Sequence, residues 1–154
     1  MAEIIDQDRI EKTIIIAAPV SKVWDALTDH EKFGAWFRVK LYGPFKVGEV
    51  TRGHITYPGY ENLKWETLVV RIEPEEVFAF SWHPNAIDPD TDYSGEPQIL
   101  VEFRLSPSDG GTRLFITESG FSKLPDARRL EALRSNSEGW DIQAQNIADY
   151  VTGE

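Results

Sequence analysis

The longest helix that the sequence predicts lies at its C-terminal end, and this position constrains the fold more than any other feature. Residues 125–152 read as one helix, whereas residues 39–119 read as a succession of strands and turns. At about 1.5 Å per residue, a helix of about 27 residues is about 40 Å long. Such a helix can lie across a whole sheet, so the sequence predicts an α+β protein with the helix packed on an antiparallel sheet.

One strand shows which face of the sheet the helix must cover. In QILVEFRLSP, Val101, Phe103 and Leu105 fall on one face of a strand, and Glu102 and Arg104 fall on the other. An antiparallel sheet with one polar face exposes that face to water and buries the other. The long helix is the only large element left to cover the apolar face.

The N-terminal part supplies one more strand and two short helices. Residues 8–18 are rich in β-branched side chains, and Pro19 suits the first residue of a helix. Asp29 is a plausible N-cap for a second short helix. The predicted order is one strand, two short helices, about six strands and one long helix. Short turns such as SDGG imply that neighbouring strands run antiparallel. We expect residues 1–154 to form a single domain.

The last helix contains an unusual pair, Gly139 and Trp140. Glycine inside a helix costs roughly 1 kcal/mol relative to alanine, so its presence asks for a reason. An apolar stripe runs along this helix through Trp140, Ala144, Ile147 and Val151. Two interpretations remain open at this stage. The helix roofs a cavity with Trp140 as one wall, or the glycine allows close packing of helix on sheet.

Composition excludes several classes of function. The chain has no cysteine, which rules out disulfides, thiolate metal sites and cysteine nucleophiles. Its net charge of −10 argues against nucleic acid as a partner, because nucleic acid binding normally needs a basic face. No apolar run approaches the length of a membrane span. The charged N-terminus lacks a signal-peptide core, so we expect a soluble, cytoplasmic protein.

Four motifs in this order resemble one protein family. They are APVSKVWDALTDHEKFGAWF, VVRIEPEEVFAFSW, GGTRLFITESGF and NSEGWDIQAQNIADYV. The chain resembles the START-like (SRPBCC, helix-grip) proteins, in particular the bacterial homologues of the activator of the ninety-kilodalton heat-shock protein ATPase. The resemblance runs from about Arg9 to Val151.

The resemblance implies a curved sheet of about six to seven strands gripping the C-terminal helix, with a cavity between them. It also implies a small apolar or aromatic ligand, of lipid, sterol or polyketide type. The many aromatic residues of the chain suit such a pocket, because ligand pockets are mostly apolar with a few polar groups. The candidate ligand-binding residues are Trp24, Trp36, Phe37, Trp65, Phe80, Trp82, Phe103, Glu118, Trp140 and Ala144.

Motifs of known chemistry are scarce. His30, His54 and His83 show no metal-ligand spacing, and we predict no metal site and no cofactor. DPDTDYSGE places acidic residues as in a calcium loop, but Tyr93 stands where the turn glycine is needed. The sequence therefore favours a solvated loop there.

Glu118 is the carboxylate of most interest. Along TRLFITESGF, Leu114, Ile116 and Glu118 share one face, so Glu118 points into the cavity unless a bulge intervenes. Gly120 makes a local break plausible, and we expect an exposed or rim position. There Glu118 would orient a ligand rather than catalyse a reaction.

Three functions follow as hypotheses. The first is binding of a small apolar or aromatic molecule without strong chemistry. The second is a cyclase or dehydratase that uses Glu118, or His54 if it points inward, as acid or base. The third is a co-chaperone of the heat-shock protein ATPase, in which a surface patch matters more than the cavity.

Overall fold

The computed structural model describes residues 8–83, 92 and 95–153. It confirms the predicted order of elements. These are β1 (Arg9–Ile16), α1 (Val20–Thr28), α2 (His30–Phe37), β2 (Val39–Leu41), β3 (Val50–Ile55), β4 (Lys64–Glu73), β5 (Val77–Trp82), β6 (Ile99–Ser108), β7 (Gly111–Ser119), a short 3-10 turn (Phe121–Lys123) and α3 (Asp126–Thr152).

The seven strands form one curved antiparallel sheet in the order β1-β7-β6-β5-β4-β3-β2. β6 and β7 are joined by a two-residue hairpin loop, in which Gly110 has a φ of 74°. Glycine adopts this left-handed backbone conformation without a steric penalty, because it has no Cβ, so the SDGG sequence can turn the chain here. The alternation predicted for β6 is confirmed, since Val101, Phe103 and Leu105 are buried and Arg104 is exposed.

The two short helices are separated by a local capping interaction. The Asp29 side chain accepts hydrogen bonds from the backbone N–H groups of Glu31, at 2.9 Å, and Lys32, at 3.2 Å. This satisfies two of the donors that the start of a helix leaves without partners, as the sequence predicted. Pro19 lies one position outside α1, as its N-cap, rather than as its first residue.

The core lies between the inner face of the sheet and the helices. α3 crosses the sheet and buries one stripe against it. The buried residues of α3 are Ala132, Leu133, Trp140, Ala144, Ile147 and Val151. The four residues of the apolar stripe that the sequence indicated, Trp140 to Val151, are therefore all buried, and Ala132 and Leu133 extend the buried side toward the start of the helix.

Gly139 does not have the packing role that the sequence suggested. No atom lies within 4 Å of the position that a Cβ at Gly139 would occupy, the helix's own backbone apart. Among the described residues, nothing packs closely on this glycine, and close helix–sheet packing as its reason is wrong. Trp140, one position further, is turned inward and only 3% exposed. The two residues lie on different sides of the helix.

The calcium-like loop cannot be placed in this fold. Asp88, Asp90 and Tyr93 lie outside the described residues. Within the described part of the chain, no three histidine or acidic side chains are grouped closely enough to hold a metal ion. None of the described helices is long and apolar enough to cross a membrane.

Gly139→Ala should stabilise the protein by about 1 kcal/mol, because alanine is the better helix former and its methyl group meets open space. Gly34→Ala in α2 is the matched control. Its Cβ would lie 2.4 Å from the carbonyl oxygen of Val39, so this variant should lose about 1–3 kcal/mol. Urea denaturation of both variants gives the free energies of unfolding. Equal losses in the two variants would contradict the open environment of Gly139.

Candidate functional site

Glu118 lies on the inner face of β7 and is completely buried, with 0% exposure. It pairs with Ile10 of β1 on one side and with Val101 of β6 on the other. The expected exposed or rim position is therefore wrong. Pairing continues without a bulge to Ser119 on both neighbouring strands, so the alternation holds through Glu118 and points it at α3.

Three neutral side chains donate hydrogen bonds to the Glu118 carboxyl group. Trp82 Nε1 on β5 donates to Oε2 at 2.6 Å, and Trp140 Nε1 on α3 donates to Oε1 at 2.8 Å. Asn136 Nδ2, one helical turn before Trp140, contacts Oε1 at 3.0 Å and Oε2 at 2.9 Å. One carboxyl group thereby connects two strands of the sheet to the long helix.

The hydrogen bonds of Glu118 and its burial act in opposite directions on its pKa. Three N–H donors reach the two oxygens, because Trp82 and Trp140 bond one oxygen each and Asn136 Nδ2 is shared between both. Burial is the largest effect and raises the pKa of Glu118, while the hydrogen bonds from Trp140, Asn136 and Trp82 lower it. The net pKa lies above the ordinary glutamate value of 4.5.

Asn136 is the site residue that the sequence analysis missed. It lies four positions before Trp140 and so on the same face of α3, between the buried residues Leu133 and Trp140. This spacing from Trp140 was the available signal. Its partner could not be identified from the sequence, because Glu118 was expected to be exposed.

Six of the candidate aromatic residues form one connected group beside Glu118. Phe37 lies 5.7 Å from Trp65 and 6.2 Å from Trp140, measured between ring centroids. Trp82 lies 5.9 Å from Trp140. Phe80 and Phe103 complete the group from the inner face of β5 and β6. We call these six rings, Phe37, Trp65, Phe80, Trp82, Phe103 and Trp140, the aromatic cluster.

The other candidates lie around the aromatic cluster. Trp36 donates its indole N–H to the Ala26 carbonyl oxygen at 2.8 Å, which joins α2 to α1. Trp24 is half-buried on α1 and packs against the core. Ala144 is buried on α3 one turn after Trp140. The cavity expected between sheet and helix, and the ligand role of these residues, stay predictions.

Unlike Glu118, two buried polar groups on the inner face of β4 have no hydrogen-bond partner in the part of the chain that the structure describes. Trp65 Nε1 and Thr67 Oγ1 have no hydrogen-bond partner among the described residues. Trp65 is 5% exposed and Thr67 is 1% exposed. An unmet buried polar group costs about 1–3 kcal/mol, so each one asks for an explanation.

His54 lies away from this site. Its Nδ1 is 2.7 Å from the hydroxyl of Tyr42. The buried residues of β3 are Thr51 and Gly53, so His54 is on the opposite face. An inward His54 acting as acid or base is therefore wrong.

A concavity of about 520 Å³ lies on the outer face of the sheet. Arg71 and Arg104 border it, together with acidic residues. Arg71 is paired with Glu73, and Arg104 contacts Glu102 at 3.0 Å. Such pairs near the surface contribute little free energy. The inner site is the stronger candidate.

The fold and this inner site define the class of protein. A curved antiparallel sheet that grips a long C-terminal helix, with two short helices after the first strand, is the architecture of the START-like (SRPBCC, helix-grip) superfamily. A family model described as "Activator of Hsp90 ATPase homolog 1-like protein" matches residues 17–152. The chain belongs to this family.

Solved structures confirm the fold. MLL2253 from Mesorhizobium loti is similar with a TM-score of 0.73 at 22% identity, over 94% of this chain and 96% of that one. NE0264 from Nitrosomonas europaea gives a TM-score of 0.75 at 15% identity, over 99% of both chains.

A third similar structure comes from a biosynthetic locus. DynU16, described as a protein in the dynemicin biosynthetic locus, gives a TM-score of 0.71 at 22% identity over 94% of this chain. This chain spans 47% of the length of that protein. Comparison with curated protein sequences gives no match.

The raised pKa of Glu118 predicts how its contribution to stability varies with pH. Between about pH 4.5 and the higher folded pKa, the folded state binds more protons than the unfolded state. The wild type should therefore lose stability relative to Glu118→Gln as the pH rises through this window. Urea denaturation of both proteins from pH 4 to pH 8 measures the difference. A wild type that gains stability over the variant with rising pH would mean a lowered pKa.

Proposed function

We propose that the protein binds a small apolar or aromatic molecule between α3 and the inner face of the sheet. The aromatic cluster supports this proposal most directly, because its six connected rings include two, Trp82 and Trp140, that bond a buried carboxyl group. Ligand sites are typically lined by aromatic side chains with a few placed polar groups. The cluster has that composition.

Glu118 supports the proposal because it fixes two of the aromatic rings that would line the site. It accepts hydrogen bonds from three N–H donors, and two of them are the indoles of Trp82 and Trp140, whose orientations it thereby fixes. Preformed walls reduce the entropy that is lost when a ligand binds. In this proposal Glu118 positions the indole rings, which in turn orient the ligand. It takes no part in a covalent step.

Access to the site would come through the half-buried members of the cluster. Phe37 and Trp82 are partly exposed, whereas Phe80 and Phe103 are fully buried. Phe37 is the last residue of α2, and Gln143 of α3 donates to its carbonyl oxygen at 3.1 Å. A ligand would enter where α2, α3 and the end of β5 meet.

The proposal predicts saturable binding of 2-isopropenylnaphthalene, a planar apolar probe, followed by tryptophan fluorescence. Ala144→Leu adds bulk on the buried face of α3 and should weaken binding at least tenfold, since overpacking a filled site costs about 1–3 kcal/mol. Ala127→Leu adds the same bulk on the exposed face and should leave affinity unchanged. Absence of saturable binding, or equal effects of the two variants, would refute the proposal.

Proton transfer is a second candidate, and the raised pKa of Glu118 favours it. Carboxyl groups with perturbed pKa values are frequent among catalytic acids and bases. If the protein is a cyclase or dehydratase, Glu118→Gln should abolish turnover while binding of the same substrate persists. Equal turnover by the two proteins would exclude Glu118 as the acid or base.

A chaperone partner, which the family description suggests, would need a surface instead. Tyr57 and Tyr60 are 52% and 51% exposed, and the Arg38 guanidinium lies 5.5 Å from the Tyr57 ring centroid. Tyrosine and arginine are enriched at protein interfaces. Binding of a heat-shock protein ATPase stays a prediction, and this surface is where it would be tested.

A further inference from the structure

Trp65 and Thr67 are two residues apart on β4 and point to the same side of the sheet. The burial pattern of β4 alternates through Trp65, Thr67 and Val69, which places all three on the inner face. At about 3.3 Å per residue, Cα atoms two positions apart are about 7 Å from each other. Two polar groups without partners are therefore neighbours within the same buried region.

Both residues border the aromatic cluster. The Trp65 ring centroid lies 5.7 Å from Phe37 and 6.1 Å from Trp82. Leu68 pairs with Ser81, so the register places Thr67 opposite Trp82. The unmet N–H and hydroxyl groups thus lie at the β4 side of the cluster, across Trp82 from Glu118.

The rest of the core shows that such groups are normally satisfied here. Trp36 donates its indole N–H to the Ala26 carbonyl oxygen, and Thr112 donates its hydroxyl to the Ala18 carbonyl oxygen at 2.7 Å. A phenylalanine and a valine would fill the positions of Trp65 and Thr67 without any unmet polar atom. Polar side chains kept at this cost, with no partner among the described residues, suggest that a bound molecule supplies one.

We infer that Trp65 and Thr67 form a polar subsite for a hydrogen-bond acceptor on the bound molecule, a neutral carbonyl oxygen. This inference rests on the proposed ligand site and adds the chemistry of its polar contact. An indole N–H can only donate, so the ligand atom facing Trp65 must accept. A carboxylate fits less well, because the protein carries a net charge of −10 and the cluster contains no basic side chain.

Glu118 and the β4 subsite then have different roles. Both oxygens of Glu118 already accept hydrogen bonds from protein donors. The Trp65 and Thr67 groups gain a partner without losing one. The ligand's carbonyl oxygen should therefore face β4, with its apolar body against Trp82 and Trp140.

The test uses two probes of the same shape, 2-acetylnaphthalene and 2-isopropenylnaphthalene, which differ by C=O against C=CH₂. The measured quantity is the ratio of their dissociation constants in each protein. Trp65→Phe keeps a ring but removes the N–H, and Thr67→Val keeps the shape but removes the hydroxyl. Each variant should reduce the preference for the ketone about fivefold or more relative to wild type.

Thr117→Val is the matched control, because Thr117 is buried at 4% exposure but pairs with Glu102 on the outer face of the sheet. It should leave the ratio unchanged. Thr67→Val should also keep or raise the melting temperature, since it removes an unmet polar atom. An unchanged ratio in Trp65→Phe and Thr67→Val, with a lower melting temperature for Thr67→Val, would mean that ordered water satisfies these groups and would overturn the subsite.

The two proposals fail in different ways. If wild type binds both probes and the variants leave the ratio unchanged, the ligand site stands and the β4 subsite is wrong. If wild type binds neither probe, the proposed function fails and the subsite fails with it. A variant that does not fold is recognised by its lost thermal transition, and the other variant then decides.

Discussion

The Glu118 carboxyl group is buried without an accompanying cation among its hydrogen-bond partners, and the geometry of the site depends on how it is satisfied. Trp82, Asn136 and Trp140 supply neutral N–H donors from β5 and α3. An isolated buried carboxylate is very costly, so these donors and the carboxyl group constrain one another. Moving α3 away from the sheet would break two of these partnerships at once. The position of the helix is thereby fixed by a polar contact inside an apolar core.

The site has two polar regions in different states of satisfaction. At Glu118 both oxygens accept hydrogen bonds from the protein, while on β4 the Trp65 N–H and the Thr67 hydroxyl lack partners among the described residues. The aromatic cluster joins the two. The START-like fold supports many activities, so membership of the Hsp90 ATPase activator family describes the architecture better than the activity. The side chains of Trp65 and Thr67, rather than the fold, favour a bound carbonyl compound.

The fold could be predicted from the sequence because its signals are local. β-branched strands, the alternation along β6, the Asp29 cap and the length of the last helix each act within a few residues. Together they predict seven strands and three helices in the observed order. Gly139 shows where local reading failed. Close packing was one of two interpretations of Gly139 beside Trp140. The structure shows open space around Gly139, and only the packing of the helix on the sheet decides which of its sides is buried.

The sequence by itself determined the order of elements, the apolar stripe of α3 and the inward side of β7. It left the fate of Glu118 open, because one bulge would have turned the side chain to water. Only the tertiary structure decided this, by continuing the pairing to Ser119 and placing Asn136 and Trp140 above the carboxyl group. The sequence likewise gave no sign that the Trp65 N–H and the Thr67 hydroxyl would lack hydrogen-bond partners among the described residues. Hydrogen-bond satisfaction depends on which groups from distant segments meet, and no local pattern records that.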